Sequence, residues 1–317
     1  MTDRAPLVSI GLPVYDGARY LRAALDDFLG QTFADFELIV SDNASTDDTA
    51  AICTAYAARD PRVRCVRNPT NLGALPNANR TIRLARGRYY VLAAYDDRHA
   101  PDFLGRLVAA LEADPGAVLA YGRCTMIGEA GEPFRYDPAR GGWVAPGGFF
   151  ASDRGLERPL PAGPVARYRA VLASTSVDAP IHGLFRTDAL RRTGGHVLHG
   201  SDRLIVAHAA LLGRFAFVDA PLFQYRMHGA STHLLDHAAR VAREAPDEDA
   251  AGIGRKTLLN YARAVGRTDL GLPDRLRAWA ATAGYATARF RRNVLRPGKD
   301  NYLPWLRPAA APLVPAP

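Results

Sequence analysis

Through its first 120 residues the chain alternates short apolar runs with amphipathic helical stretches, and few folds accept that rhythm. LVSIGL (Leu7 to Leu12) has the length and composition of a buried strand. Leu21, Ala24, Leu25, Phe28 and Leu29 then fall at i, i+3, i+4, i+7 and i+8, one face of a helix. Next come the strand FELIV (Phe36 to Val40), a helix opened by Ser45 or Thr46 as N-cap and carrying Ile52, Cys53 and Tyr56, and the strand VRCV (Val63 to Val66). A helix from about Leu75 to Leu84, the strand YYVLAA (Tyr89 to Ala94), a helix beginning at Pro101 and the strand VLAY (Val118 to Tyr121) complete the series. Such alternation requires right-handed crossovers and a mostly parallel sheet flanked by helices, an α/β fold.

In open sheets of this kind ligands sit outside the carboxyl ends of the strands. That rule selects Pro13, Val14 and Tyr15 after the first strand, Asp42 and Asn43 after the second, and Asp96 and Asp97 after the fourth. An adjacent acidic pair at a strand end can hold Mg²⁺ or Mn²⁺. Taken alone, the same pair could equally cap the helix near Pro101.

From about Gly122 to Pro164 the pattern dissolves into Gly, Pro and Arg with scattered aromatics such as Phe134, Trp143, Phe149 and Phe150. This stretch reads as a long mobile excursion, a lid or an acceptor loop. Order returns with a helix near Val165, then IHGLF (Ile181 to Phe185), a short helix from Asp188 to Arg192, a Gly194-Gly195 stop and a helix with Ser201 as N-cap. The expected organisation is a catalytic domain over 1–236, a basic helical region over 237–307 and a disordered tail over 308–317.

Several pieces together are more specific than any one. The stretch from VSIGLPVYDG to ELIVSDNASTDDT, followed by NLG, ARGRYYVLAAYDD and PDFL, resembles the family 2 glycosyltransferases in order, spacing and residue type. The resemblance runs from about Leu7 to Thr232. It implies a GT-A-type Rossmann-like sheet with a helical C-terminal extension, and an inverting, nucleotide-sugar-dependent enzyme assisted by a divalent cation. The matching pieces are Pro13 to Tyr15, Asp42 with Ser45 and Asp47, Asn71 to Gly73, and Asp96-Asp97 ahead of Pro101.

Each piece has a physical job under that resemblance. The Asp42 carboxylate can accept the imide N–H of a pyrimidine base bordered by Pro13, Val14 and Tyr15, which favours UDP or TDP. Gly73 lets the backbone pass close to a ligand, and Asn79 is expected to brace that loop. Where many relatives carry Asp-x-Asp, this chain reads Ala94-Tyr95-Asp96-Asp97. Asp96 matches the metal-binding Asp, Asp97 is a second candidate ligand, and Tyr95 stands in for part of the missing ribose contact.

The family takes its catalytic base from an acidic residue opening a helix after a Gly-rich turn. Gly200-Ser201-Asp202 occupies that place, so Asp202 is the expected base. Arg226 and His228 are spaced like the family's Arg-x-His signature, which implies a phosphate clamp and a metal or diphosphate contact respectively. His182 lies where relatives line the acceptor site.

Composition limits the alternatives. Three cysteines with no CxxC spacing argue against a disulfide framework or a zinc site. The N-terminus has no secretory pattern and no stretch reaches the roughly 20 apolar residues of a membrane span, which predicts a cytoplasmic protein. A formal charge of +8 favours anionic partners without choosing among them. No nucleic-acid recognition motif is visible, so nucleic acid is not an expected partner. A nucleotidyltransferase is the rival enzyme, but it would want a Gly-rich basic loop where this chain has Pro13-Val14-Tyr15-Asp16-Gly17. An inactive scaffold is the other alternative, for which Ala94 is the hint.

Beyond residue 250 the cations Arg255, Lys256, Arg263, Arg267, Arg275, Arg277, Arg289, Arg291, Arg292, Arg296, Lys299 and Arg307 face only Asp269, Asp274 and Asp300, and alternate with Leu258, Leu259, Tyr261, Trp279, Tyr285, Phe290 and Trp305. Helices there would carry one apolar and one basic face. The apolar face is expected either to pack on the catalytic domain or a second subunit, or to dock peripherally on an anionic membrane.

Overall fold

A computed structural model describes residues 4–148, 150–152, 155–174, 176–197, 201–229 and 253–295. Strands β1 (Val8–Val14), β2 (Phe36–Asp42), β3 (Val63–Arg67) and β4 (Tyr89–Leu92) alternate with helices α1 (Ala18–Leu29), α2 (Thr49–Arg59) and α3 (Ala74–Leu84). After β5 (Arg98–His99) and α4 (Phe103–Ala113) comes β6 (Ala117–Ile127). Then follow β7 (Arg135–Asp137), β8 (Gly142–Val144), β9 (Phe150–Ser152), α5 (Pro164–Ala173), α6 (Asp178–Ile181), β10 (Leu184–Arg186), α7 (Thr187–Thr193), α8 (Ser201–Leu212) and β11 (Arg214–Arg226). Two further helices, here α9 (Ile253–Gly266) and α10 (Leu272–Leu295), close the described chain.

Eight strands form one sheet in the order β3-β2-β1-β4-β10-β6-β11-β5. Neighbouring pairs among β1 to β4 and the β6–β11 pair are parallel, while β10 and β5 run antiparallel to their neighbours. Six carboxyl ends therefore share one edge. The α/β, mostly parallel expectation is met.

Strand alternation divides the core by faces. Val8, Ile10, Leu12, Phe36, Leu38, Val40, Tyr89 and Val91 pack against α1, α2 and α4. Ile39 and Tyr90 point the other way, toward α3, α5, α8, α9 and α10. Burying each such side chain contributes roughly 1.5–3 kcal/mol. Gly11 is required on that second face: a Cβ there would lie 2.1 Å from the Tyr90 hydroxyl, which is hydrogen-bonded to Thr81 Oγ1 at 2.5 Å.

Several expectations change. The excursion expected at 122–164 has regular structure: β6 continues to Ile127, and β7, β8 and β9 form an antiparallel ribbon. Its strands are three residues each, too short to display a period of two. The ribbon turns use Gly141 and Gly148 at positive φ. Neither Ser45 nor Thr46 caps α2, which starts at Thr49. α4 starts at Phe103, not Pro101, and Ser201 is the first helical residue of α8. The domain boundary near 236 and the tail 308–317 lie outside the described residues.

The C-terminal helices pack on the catalytic fold through Tyr261, Val265 and Ala278, and Thr282 hydrogen-bonds Tyr168 at 2.7 Å. Among the described residues nothing covers a second apolar face, which carries Leu259, Leu272, Leu276 and Trp279. Among the described residues no helix is long and apolar enough to cross a membrane.

Candidate active site

The loops after β1 and β2 are stitched to each other before any ligand arrives. Ser45 Oγ accepts the Asp16 N–H at 3.0 Å, Thr49 Oγ1 accepts that of Gly17 at 2.9 Å and Asp47 accepts that of Ala18 at 2.9 Å. In return Asp16 accepts the Thr46 N–H at 2.7 Å. Ser45 and Asp47, expected beside a ligand, thus act as staples that satisfy backbone donors in a turn where no ladder can. Asp16 and Ala44 hold left-handed backbone, at φ 47 and 62, conformations that surrounding bonds must enforce.

Inside this frame sits Asp42, whose carboxylate is almost fully buried. It accepts the Ser45 N–H at 2.9 Å and pairs with Arg67. Each carboxylate oxygen has two lone pairs, so these partners orient the group while leaving acceptor capacity. Val14 and Pro13 lie in register with Asp42 and Ser41, and the Asn43 N–H binds the Val14 carbonyl at 2.8 Å. Tyr15 is 41% exposed at the same end.

A set of asparagines, unremarked in the sequence except for Asn71 and Asn43, fixes the next loop. Asn43 donates to Asn71 at 2.7 Å and to the Gly73 carbonyl at 3.2 Å, and accepts from Asn68 and from the Leu72 N–H. Asn71 in turn accepts the Gly73 N–H at 2.9 Å. Gly73 has φ 83, which glycine alone adopts cheaply. Asn77 ties the set to Ser41.

Asn79 braces a different loop from the expected one. Its amide donates to the His196 carbonyl at 2.6 Å and accepts the His196 N–H at 2.8 Å, so it clamps the Gly194–His196 turn. The Gly73 loop is left to Asn43 and Asn71. A Cβ on Gly195 would come within 2.4 Å of Asn79 Oδ1, which explains the second glycine.

At the carboxyl end of β4, Asp96 and His228 converge, with His228 Nε2 at 2.9 Å from Asp96 Oδ2. Asp96 is 20% exposed, open to a ligand on one side. Among the described residues no three His, Cys, Asp or Glu side chains gather as a metal cluster. Two protein donors, one carboxylate and one imidazole, suit a Mn²⁺ or Mg²⁺ that takes its remaining ligands from a diphosphate and water.

Asp97 does not fit beside them. It is buried, with Oδ1 accepting the Arg226 N–H at 2.8 Å and Oδ2 without a partner. Burial, with the Asp96 carboxylate next, pushes its carboxyl well above the usual carboxylate range. In this structure the enclosed carboxyl anchors the end of β11 through the Arg226 N–H.

Arg226 likewise turns inward. Its Nε donates to the Asp96 carbonyl at 2.6 Å, and Nη1 donates to the carbonyls of Gly128 and Glu129 at 3.0 and 3.1 Å. Its guanidinium also lies over the Tyr20 ring. Buried and committed to three carbonyls, it positions the Asp96 turn, and the geometry gives little support to a phosphate clamp. Tyr20, which the sequence did not single out, stacks obliquely on His228 at 5.1 Å. Tyr95 lies under Gly17, where an added Cβ would be 2.8 Å from its ring.

Asp202 opens α8 and is 53% exposed. His196 Nδ1 lies 3.2 Å from its carboxylate and 3.1 Å from Ser201 Oγ, while the ring itself is buried. His196 is a site residue that the sequence gave little reason to notice beyond its Gly-Gly neighbours. His182, expected at an acceptor, is tied to the Leu92 carbonyl at 2.8 Å and stacks on Phe223.

Comparison with known proteins bears on this geometry. Residues 9–165 match the model of glycosyl transferase family 2. The chain is 38% identical over 99 residues to a chondroitin synthase of Escherichia coli, 31% of this chain and 14% of that protein. It is 35% identical over 100 residues to a hyaluronan synthase of Pasteurella multocida, 32% of this chain and 10% of that protein. The chain thus spans a small part of these relatives. Among solved structures, S. aureus TarS in complex with UDP-GlcNAc superposes with TM-score 0.65 at 16% identity, over 92% of this chain and 76% of that one. The mannosyltransferase PcManGT from Pyrobaculum calidifontis, in complex with GDP-Man and Mn²⁺, gives 0.52 at 18% identity over 91% and 76%.

Proposed function

Residues 9–165 belong to glycosyl transferase family 2, and from that membership we propose that the chain transfers a sugar from a nucleoside-diphosphate sugar to a hydroxyl acceptor with inversion at the anomeric carbon. The observation that carries the reading is the Asp96–His228 pair at the carboxyl end of β4. It stands on the same carboxyl edge of the sheet as the oriented Asp42 carboxylate, which suits a uracil or thymine imide. UDP or TDP is therefore the favoured carrier.

When bound, a divalent cation held by Asp96 and His228 would offset the charge of the leaving diphosphate. The chain's own groups do the rest. Stitched loops hold the base and ribose without reorganising, and Asp202 takes the acceptor proton. As the acceptor oxygen bonds to the anomeric carbon, the bond to the diphosphate oxygen breaks and that oxygen keeps the electron pair. His196 holds the Asp202 carboxylate at 3.2 Å, and Asn79 holds His196.

The test is nucleoside diphosphate release from UDP-sugars and TDP-sugars with Mn²⁺, alongside thermal shifts with the free diphosphates. Release from a UDP- or TDP-sugar with stabilisation by its diphosphate supports the reading. No release and no shift with any of them sinks it.

A specific observation also favours peripheral membrane contact. Leu272, Leu276 and Trp279 share one face of α10, and the Trp279 indole N–H reaches the Ala262 carbonyl of α9, beside Leu259. These apolar residues are uncovered, Leu272 at 64% exposure. The neighbouring cations outnumber Asp269 and Asp274, and both acids are paired, with Arg192 and Arg277. A basic rim around an apolar stripe complements an anionic bilayer, at about 1 kcal/mol per cation near the surface. Co-sedimentation with phosphatidylserine vesicles but not phosphatidylcholine vesicles, weakened by Leu276→Asp, is expected. A protein that stays in the supernatant, or self-associates through this face, argues for a second copy instead.

A further inference from the structure

We propose that the cavity beneath the β7–β8 ribbon is the acceptor subsite and that it takes a saccharide. The proposal rests on the glycosyltransferase reading above and names the substrate class for its far side. The cavity measures about 620 Å³ and lies between the second half of β6, the ribbon and residues 155–158. That size falls within the roughly 300–1,000 Å³ of small-molecule sites.

Its lining is what a sugar needs. Tyr136 and Trp143 meet edge to face, with ring centroids 5.1 Å apart and planes at 65°, so they form a corner and not a slot. A flat nucleobase would want two parallel walls, whereas a pyranose presents an apolar C–H face to one ring and its edge to the other. Around the corner stand Arg123, Arg158 and Glu157. They offer donors and acceptors for hydroxyls, and the carboxylate disfavours a phosphate chain. Thr125 Oγ1, also on the lining, is enclosed without a hydrogen-bond partner, a group that a ligand hydroxyl would satisfy.

The ribbon's own core leaves Tyr136 outside it. Phe134, Ala145 and Met227 form its small core, and Tyr136 is 42% exposed outside it. Trp143 packs partly on that core, which holds its ring in place.

Base-side loops follow β1 and β2, Asp96 follows β4, and β6 lies two strand positions beyond β4 on the same carboxyl edge of the sheet. Register ties the two places together: Arg226, which holds the Asp96 turn, pairs with Ile127 of β6, two residues beyond Thr125.

The experiment uses the full chain with UDP and Mn²⁺ and reads saturation-transfer NMR to N,N′-diacetylchitobiose, cellobiose and a hyaluronan tetrasaccharide. At least one of these is expected to bind, with affinity falling at least about tenfold in Tyr136→Ala and Arg158→Ala. Trp143→Phe, a milder change in case the alanine variants fold poorly, should weaken it less. If none of the saccharides binds, or if binding is indifferent to all three substitutions, the proposal is overturned. UDP-sugar hydrolysis by the wild-type protein is measured separately: hydrolysis without saccharide binding removes this subsite and leaves the enzyme reading standing. Saccharide binding without hydrolysis does the reverse.

Discussion

The two halves of the sheet's carboxyl edge are built by different means. On the β1 to β3 side, loops bind loops: Ser45, Thr49 and Asp47 take N–H groups of residues 16–18, and the asparagines lock residues 71–73. On the β6 to β11 side, Asp202 is half exposed and held by His196, and the ribbon leaves an open cavity. Loops cross-linked by several hydrogen bonds resist local opening. Under the proposed function, a nucleotide that is the same in every cycle would reward a preformed site, while an acceptor would have to enter and leave. The Asp96 turn lies at the seam, held by Arg226 and His228 from the second half.

The seam is where the comparison is easiest to break. Asp96→Ala should reduce donor hydrolysis and transfer by about 10³ or more, with Mn²⁺ no longer shifting the thermal midpoint in the presence of UDP. The wild type in excess EDTA should behave likewise. If activity survives EDTA intact, the seam is not a cation site and Asp96 merely closes the turn.

Asp202→Asn tests the loose half. Turnover should fall by about 10² while UDP affinity stays near the wild-type value, because the amide keeps the shape and loses the proton acceptor. Near-normal turnover in a folded Asp202→Asn protein would return the residue to a plain helix-start role, where the dipole alone explains a carboxylate.

Legibility follows the same division. Strands β1 to β4, α1 and α3 could be read because one face of each is apolar at its own period, and the strand-end rule located the loops that carry Asp42 and Asp96. Asn79 was found for the wrong loop, since a helix position does not reveal which distant backbone its amide will meet. The inward contacts of Arg226 and Asp97 could not be read, because sequence shows charge but not burial. Short strands such as β7, β8 and β10 carry too few residues to show alternation, and His196 works through a contact with Asp202 that no spacing announces.

His196 gives a smaller effect that separates positioning from packing. His196→Gln should lower kcat about tenfold with KM for the donor unchanged, and it should alter the pH profile of kcat by removing the imidazole beside Asp202. A drop in stability with an unaltered profile would make His196 a packing residue only, and the loose half would then have one tether fewer than drawn here.

The smallest effect concerns the other end of the tightly built half. Glu37, at the start of β2, accepts from Ser9 Oγ at 2.7 Å and from the Arg86 N–H at 2.9 Å, and Arg86 and Arg64 pair with it. Burial alone would raise its carboxyl, but the bonds from Ser9 and Arg86 and the charge of Arg64 outweigh burial and lower it. A folded-state value below the unfolded one, near about 4.3, means that the ionised group stabilises the fold above that pH. The contribution is lost as pH falls through the folded value. Thermal midpoints of the wild type and Glu37→Gln should therefore differ by a few degrees, about 2–4 °C, at pH 7, and the gap should narrow once the pH drops below about 4. A gap that holds constant from pH 7 to pH 3 would show that shape, and not ionisation, is what Glu37 gives these strands. The donor half would then owe its stiffness to the loop staples at its carboxyl end.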